Sequence, residues 1–496
     1  MSHKKLHVNW GIVTETIPSQ YSRMLTWAPE IAADGGTLHE QVVHALRRDI
    51  GSGTLKAGSR MPTQRELARD LGIGVGTVTR AYSEAERLGL LSSRVGRGTF
   101  VATADKPSPA DAMINLGMNL PILAAAGGRL GDALAQMRRR ADLADHAAFA
   151  PHAGLDWHRQ AAAAWLARAA RFEGVDWRML LICVGAQQAM TLALDELCRP
   201  GDRILTEAAT FHGLRAIADY RGYTLTGLAM DQEGLRPDAL DRAAAETGAR
   251  VVYIQPTLQN PTARSMSRAR RLDIVRIARA RDLWILEGDV YAPLAGAPLA
   301  GAPLADMGAS CMQALPPIAA LAPERTFYAS SVSKALAPGL RCGFLVAPDL
   351  PRFDRLIAAM RATCFSPCTL GAAVASQWIT EGTAYTILET VAREAASRVA
   401  LAREILGPSM ETPSFAASLH VWLPMTELEA ERIAARALSR SVVVTPPATL
   451  IIDGTQIAGL RLCLNAEPDQ ARLAQGLRIV AAAMTQDQNA ARHSVV

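Results

Sequence analysis

Between Tyr328 and Phe344 the chain reads YASSVSKALAPGLRCGF, and one lysine, Lys334, stands among serines. A primary amine condenses with an aldehyde to a Schiff base, so a lysine in this setting suits an aldehyde cofactor. Ser331 and Ser333 come just before it, and Arg341 follows Pro338 and Gly339. Hydroxyls and a guanidinium are the groups that hold a phosphate.

If the aldehyde is pyridoxal phosphate, it also needs backbone N–H groups, a flat surface on one ring face and hydrogen bonds at its phenolic oxygen. In VGAQQA, Gly185, Ala186 and Gln187 follow a strand-like run and precede a helical one, which predicts an anion-binding helix N-terminus. Phe211, in EAATFHGL, offers a face to stack on the ring. Asn260, in QPTLQNPTA, and Tyr291 can both reach the phenolic oxygen.

These pieces, in this order, resemble the class I/II aminotransferase branch of the fold-type I pyridoxal-phosphate proteins. The blocks S-x-S-K…P-G-L-R-x-G and Asn260-Pro261 carry most of the resemblance. It implies that Lys334 is the catalytic, Schiff-base lysine. It places Ala186, Gln187, Phe211, Asn260, Asp289, Tyr291, Ser331, Ser333 and Arg341 around the cofactor. It further nominates Arg461, in GLRLCLN, as a clamp on a substrate α-carboxylate, since a guanidinium binds carboxylate through two parallel hydrogen bonds. The alternative for Arg461 is a strand arginine paired to a structural acid.

One position departs from the family. The aspartate that protonates the pyridine nitrogen stands three residues before the tyrosine at the phenolic oxygen, and here that position is Gly288. Asp289 is one place off, and neighbouring strand residues point to opposite faces. Either a bulge re-aims Asp289, or the ring nitrogen lacks its acid and transamination is slow. The cofactor would still be held and could still exchange Lys334 for an amine ligand.

The elements that position these residues read as an α/β fold. Apolar runs such as MLLICVG (179–185), DRILTE (202–207), RVVYIQP (250–256) and LWILEGD (283–289) alternate with Ala-rich helical stretches. That alternation predicts a largely parallel sheet over residues 115–486, with a frayed tail at 487–496. The repeat APLAGAPLAGAPLA (292–305) reads as a surface loop, because its regular prolines oppose helix and sheet ladders alike.

The N-terminal fifth has a different pattern. An extension of no evident role covers 1–36, a compact unit 37–101, and the linker ATADKPSPADAM opens a connection over 102–114. Thr37 with Glu40, and Thr63 with Glu66, have capping-box spacing. The first helix turns Leu38, Val42, Leu46 and Ile50 to one face, and the second turns Leu67 and Leu71 inward. The third begins near Val75, with the stripe Val78, Tyr82, Ala85 and Leu88, and with Gly76, Thr77, Thr79 and Arg80 opposite. Small and basic residues there allow close approach to base edges and phosphates. LLSSR and TFV flank Gly96-Arg97-Gly98 as a hairpin tip.

This unit resembles the GntR-type winged helix-turn-helix. The resemblance implies contacts to double-stranded DNA from Arg65, Thr77, Arg80, Arg94 and Arg97. Gly74 stands where that family commonly has a serine cap. A winged helix, a linker and an aminotransferase-like domain together resemble the MocR-type regulators of the GntR family. This implies a transcriptional regulator, commonly a homodimer, that senses the cofactor or an amino-acid or amine effector. A true aminotransferase with a DNA-tethering module is the alternative, and turnover is expected to be weak or absent.

Composition is consistent with this. Of the 496 residues, 49% are apolar and 20% charged, enough for large cores. The net charge is only +5, but residues 1–101 hold thirteen Lys and Arg against nine Asp and Glu, so most of the excess lies where DNA would bind. No run reaches membrane-spanning length and no signal-peptide core follows the start, so a cytoplasmic location is expected. Seven scattered cysteines do not form a disulfide framework. Cys364 and Cys368 are read as small buried thiols, with no metal.

Overall fold

The computed structural model describes residues 27–29, 37–94, 98–102, 113–297 and 315–493, the side chains of 87, 94 and 487–493 excepted. The chain divides into two compact units, Met1–Ala112 and Met113–Val496.

In the first unit, α1 (Leu38–Gly51), α2 (Gln64–Leu71) and α3 (Val75–Arg87) precede the hairpin β1 (Leu91–Arg94) and β2 (Gly98–Val101). Both capping boxes form. The Thr37 N–H donates to Glu40 at 3.0 Å, and the Thr63 N–H donates to Glu66 at 2.8 Å while Thr63 Oγ1 accepts from the Glu66 N–H. Val42, Leu46, Leu67, Val78, Tyr82 and Ala85 are buried together. Leu38 and Leu88, at the ends of their stripes, are exposed. Trp27 from the extension joins this core, and its indole N–H donates to Asp49 at 2.9 Å. Gly74 caps α3 with an extended backbone and no side-chain bond.

The second unit is built on a seven-stranded sheet of order β4-β12-β11-β10-β9-β5-β6. Its strands are β4 (Leu180–Val184), β5 (Arg203–Glu207), β6 (Thr224–Leu228), β9 (Val251–Ile254), β10 (Trp284–Gly288), β11 (Thr326–Ser331) and β12 (Cys342–Val346). All four apolar runs singled out in the sequence are strands of this sheet. Only β12 runs antiparallel to its neighbours. A two-residue hairpin, β7 (Met230–Asp231) with β8 (Gly234–Leu235), stands apart. Alternate residues serve opposite faces. Val251, Tyr253, Leu286 and Phe327 pack on one side with α6 (Gly185–Leu197), and Val252, Ile254 and Ile285 on the other with the helix Arg268–Ala280. The helices α4 (Ala124–Met137), α5 (Asp156–Ala169) and α7 (His212–Arg221) complete the part of the chain before β6.

Two small sheets bring distant segments to the site. β3 (Ile114–Leu116) pairs in parallel with β14 (Val442–Val444), and β13 (His420–Pro424) pairs antiparallel with β15 (Gly459–Cys463).

Two expectations are corrected. Ala292–Ala295 forms one helical turn with Leu294 buried, because Pro293 sits in a first turn, where its missing N–H costs nothing; residues 298–314 of the repeat region lie outside the described residues. Cys364 and Cys368 are exposed, not buried, because they lie in the connection between the helices Leu350–Thr363 and Thr369–Glu381.

Candidate functional site

The walls of a cavity of about 150 Å³ come from the C-terminal ends of central strands and the loops after them. Ala186, Gln187, Phe211, Asn260, Tyr291, Ser331, Ser333, Lys334 and Arg341 all line it. A larger cleft of about 1010 Å³ shares Phe211, Asn260 and Lys334 and adds Arg461.

Lys334 follows β11 in a turn, and its Nζ donates to the backbone carbonyl of Asn119. Burial lowers its pKa to about 8, with Arg461 and Arg341 pushing the same way against an opposing effect of Cys463. A free amine is therefore far more populated near neutrality than on a solvated lysine.

The anion end is built at the start of α6. Gly185 has φ +75°, and a Cβ there would lie 2.6 Å from Arg341 Nη2. Only glycine lets the guanidinium close over the helix N-terminus, where unpaired N–H groups face outward. Arg341 donates to the Val184 carbonyl at 3.0 Å, and Gln187 Nε2 to the Gly213 carbonyl at 2.8 Å. Ser331 Oγ accepts from the Ser333 N–H.

Beside Lys334, Tyr291 is buried, and burial raises its phenol pKa. Asn119 Nδ2 donates to Tyr291 Oη at 3.0 Å and lies 3.0 Å from His420 Nδ1. The other ring nitrogen of His420 faces the Gln259 carbonyl at 3.1 Å, so Nε2 carries the proton and Nδ1 accepts. Burial lowers His420 to about 3, which keeps it neutral.

Arg461, on β15, is 2% exposed. It donates to Asn260 Oδ1 at 2.7 Å, the Gly117 carbonyl at 2.8 Å and Thr445 Oγ1 at 2.5 Å, and its Nε has no partner. Among the described residues no carboxylate pairs with it, nor with Arg341, and no Asp or Glu lines the inner cavity. Lys334 and Arg341 thus meet in an inner cavity lined by no acid, and Arg461 stands in the adjoining cleft, where Asp219 is the carboxylate among the lining residues; this fits an anionic ligand. A phosphate cradle at Gly185, a low-pKa amine and an unopposed arginine also fit pyridoxal phosphate with a carboxylate-bearing partner.

Asp289 does not join this set. It continues the alternation of β10 without a bulge: Gly288 and Val290 face the cavity, while Asp289 lies on the other side with Glu287. There its carboxylate is buried near Arg271 and 3.4 Å from Tyr328 Oη, and burial pushes its pKa up. The sequence offered two outcomes for this position, and the unshifted strand is the one observed.

Asn119, Tyr253, His420 and Thr445 also reach the site, and no sequence motif marks them. Asn119 and Thr445 lie in loops without a motif. His420 and Tyr253 sit in apolar runs that read as plain core.

In the first unit, Arg65 on α2 and Arg80 on α3 are exposed and Thr77 is half-buried. Thr79 Oγ1 ties the two helices by donating to Gln64 at 2.7 Å. Arg94 ends β1, and Arg97 lies outside the described residues. No helix of the described residues is long and apolar enough to cross a membrane.

Residues 38–101 match the family of bacterial regulatory proteins, gntR family, and residues 111–480 match aminotransferase class I and II. The chain is 27% identical to the HTH-type pyridoxine biosynthesis transcriptional regulator PdxR of Corynebacterium glutamicum over 66% of its length and 69% of that protein's. It is 28% identical to the probable rhizopine catabolism regulatory protein MocR of Rhizobium meliloti, over 74% and 78%. Among solved structures, an archaeal alanine:glyoxylate aminotransferase superposes with a TM-score of 0.67 at 21% identity, covering 83% of this chain and 95% of that one.

Proposed function

Since the chain belongs to the aminotransferase class I and II family and carries a gntR-family domain ahead of it, the MocR-type arrangement, we propose that it is a DNA-binding transcriptional regulator that senses an amino compound through its cofactor site. The cofactor of this domain is pyridoxal 5′-phosphate. When bound, that group supplies an aldehyde that reacts reversibly with amines and a ring that withdraws electrons.

The chain's own residues divide the remaining work. Ser331, Ser333, Arg341 and the N-terminus of α6 hold the phosphate. Lys334 presents an amine whose neutral form is more populated than on a solvated lysine. Phe211 covers one ring face, and Asn260 and Tyr291 hold the phenolic oxygen, with Asn119 and neutral His420 fixing Tyr291. Arg461 receives the carboxylate of an amino-acid effector. Arg65, Thr77, Arg80, Arg94 and Arg97 meet operator DNA. The protein works in the cytoplasm as a homodimer, in which amine exchange at Lys334 changes the spacing of two recognition helices.

The observation that carries this reading is the meeting of Lys334 and Arg341 in an acid-free inner cavity, with Arg461 in the adjoining cleft, in a chain that also bears a winged helix. A dedicated aminotransferase would need an acid at the ring nitrogen, and none lines the cavity. The test is an absorption spectrum of the purified protein with and without Lys334→Ala, with operator affinity measured on the same samples. A band dependent on Lys334, and an amine that shifts both band and affinity, are expected. An affinity indifferent to the amine rejects the sensing mechanism.

A further inference from the structure

The floor of the inner cavity is made by Tyr253 on β9, Gly288 on β10 and Ala329 on β11, three adjacent strands. This is where the sequence lacks the acid for the ring nitrogen. A Cβ built on Gly288 would lie 2.6 Å from the Tyr253 hydroxyl oxygen and 2.9 Å from its Cε2. The tyrosine therefore fills the volume that a side chain at 288 would need, and the two positions exclude each other. Tyr253 is 1% exposed, yet its ring borders the cavity and its hydroxyl has no protein partner among the described residues. A buried hydroxyl without a partner costs free energy unless a ligand or water satisfies it.

The rest of the cavity is already allotted. The hydroxyls of Ser331 and Ser333 lie with Arg341 at the phosphate end, and Tyr291 is held by Asn119 beside Lys334. In the pyridoxal ring the nitrogen lies opposite the carbon that bears the aldehyde. A ring whose aldehyde meets Lys334 turns its nitrogen away from that lysine, towards the part of the wall left unassigned.

We infer that Tyr253 replaces the missing carboxylate, its hydroxyl donating a hydrogen bond to the unprotonated ring nitrogen of the cofactor. This rests on the cofactor reading above and deepens it. Burial holds the Tyr253 phenol well above its ordinary pKa, with Glu207, Tyr291 and Asp289 adding to the effect, so it keeps its proton. A carboxylate at that place would form an ion pair with a protonated nitrogen and make the ring a strong electron sink. A phenol leaves the nitrogen neutral. Amines can still exchange at the aldehyde, but proton loss from the amine's α-carbon is poorly supported. The site then reports a ligand without consuming it.

The test is the ¹⁵N resonance of ring-labelled pyridoxal phosphate on the full-length protein, with the absorption band as control for loading. The wild type is expected to show a neutral, hydrogen-bonded nitrogen. Tyr253→Phe keeps the ring that fills the space beside Gly288 and removes the hydroxyl, so the resonance should move downfield while the band remains. The double variant Tyr253→Ala/Gly288→Asp should move it upfield into the protonated range and speed the half-reaction with an amino acid. A protonated nitrogen in the wild type, or a resonance unmoved by Tyr253→Phe, overturns the inference while the cofactor reading stands. A protein that takes up no cofactor overturns both.

Discussion

Lys334 is set for reaction by where it lies, and the pH dependence of loading should reveal it. The neutral amine is the reactive form, so the rate at which apo-protein captures the cofactor should rise with pH and level off above about 8, the value to which burial lowers the amine. Stopped-flow absorbance checks this, and a rate still climbing towards 10.5 contradicts it. Arg461→Lys keeps the charge and loses the paired N–H geometry. Affinity for amines that carry a carboxylate should fall by about 2 kcal/mol, while amines without one keep theirs. His420 tests the polar network. Its folded pKa of about 3 lies below the ordinary 6.5, so its contribution to stability is complete above 6.5 and is lost as pH falls towards 3. His420→Gln should flatten that part of an acid-unfolding curve. Much at this scale was readable from the chain, because the lysine, serines and arginine of the β11–β12 connection are close in sequence. Asp289 turned on the parity of a single strand, and whether β10 bulged could not be settled from its residue types. Tyr253 and Asn119 were hidden for another reason: their roles come from pairing across the fold, which leaves no local pattern.

The elements were the most legible level. β4, β5, β9 and β10 are short apolar runs between helical stretches, and burial on both faces dictates that composition. The capping boxes of α1 and α2 were readable for the same reason that they stabilise: both partners lie within one turn. Thr63→Ala should cost the first unit about 1 kcal/mol, seen as a lower melting temperature. Trp27 was not legible. It stands in an extension without periodicity, yet it is buried in the winged-helix core and bonded to Asp49. Trp27→Ala should therefore cost about 3 kcal/mol or more, as large-to-small changes in a core do, and a melt of the isolated change against Thr63→Ala ranks the two.

At the scale of the molecule, one polypeptide joins a small unit rich in exposed arginine to a larger one whose cavity collects cations. The path between them has a particular end. The chain enters the second unit at Met113, pairs as β3 with β14, and six residues on, at Asn119, gives its carbonyl to Lys334. Whatever claims that nitrogen takes away the carbonyl's donor, so loading frees the backbone at Asn119, near the start of the second unit. Deuterium uptake at Gly117–Leu120 should quicken when the cofactor binds and slow when an amine ligand frees the lysine again.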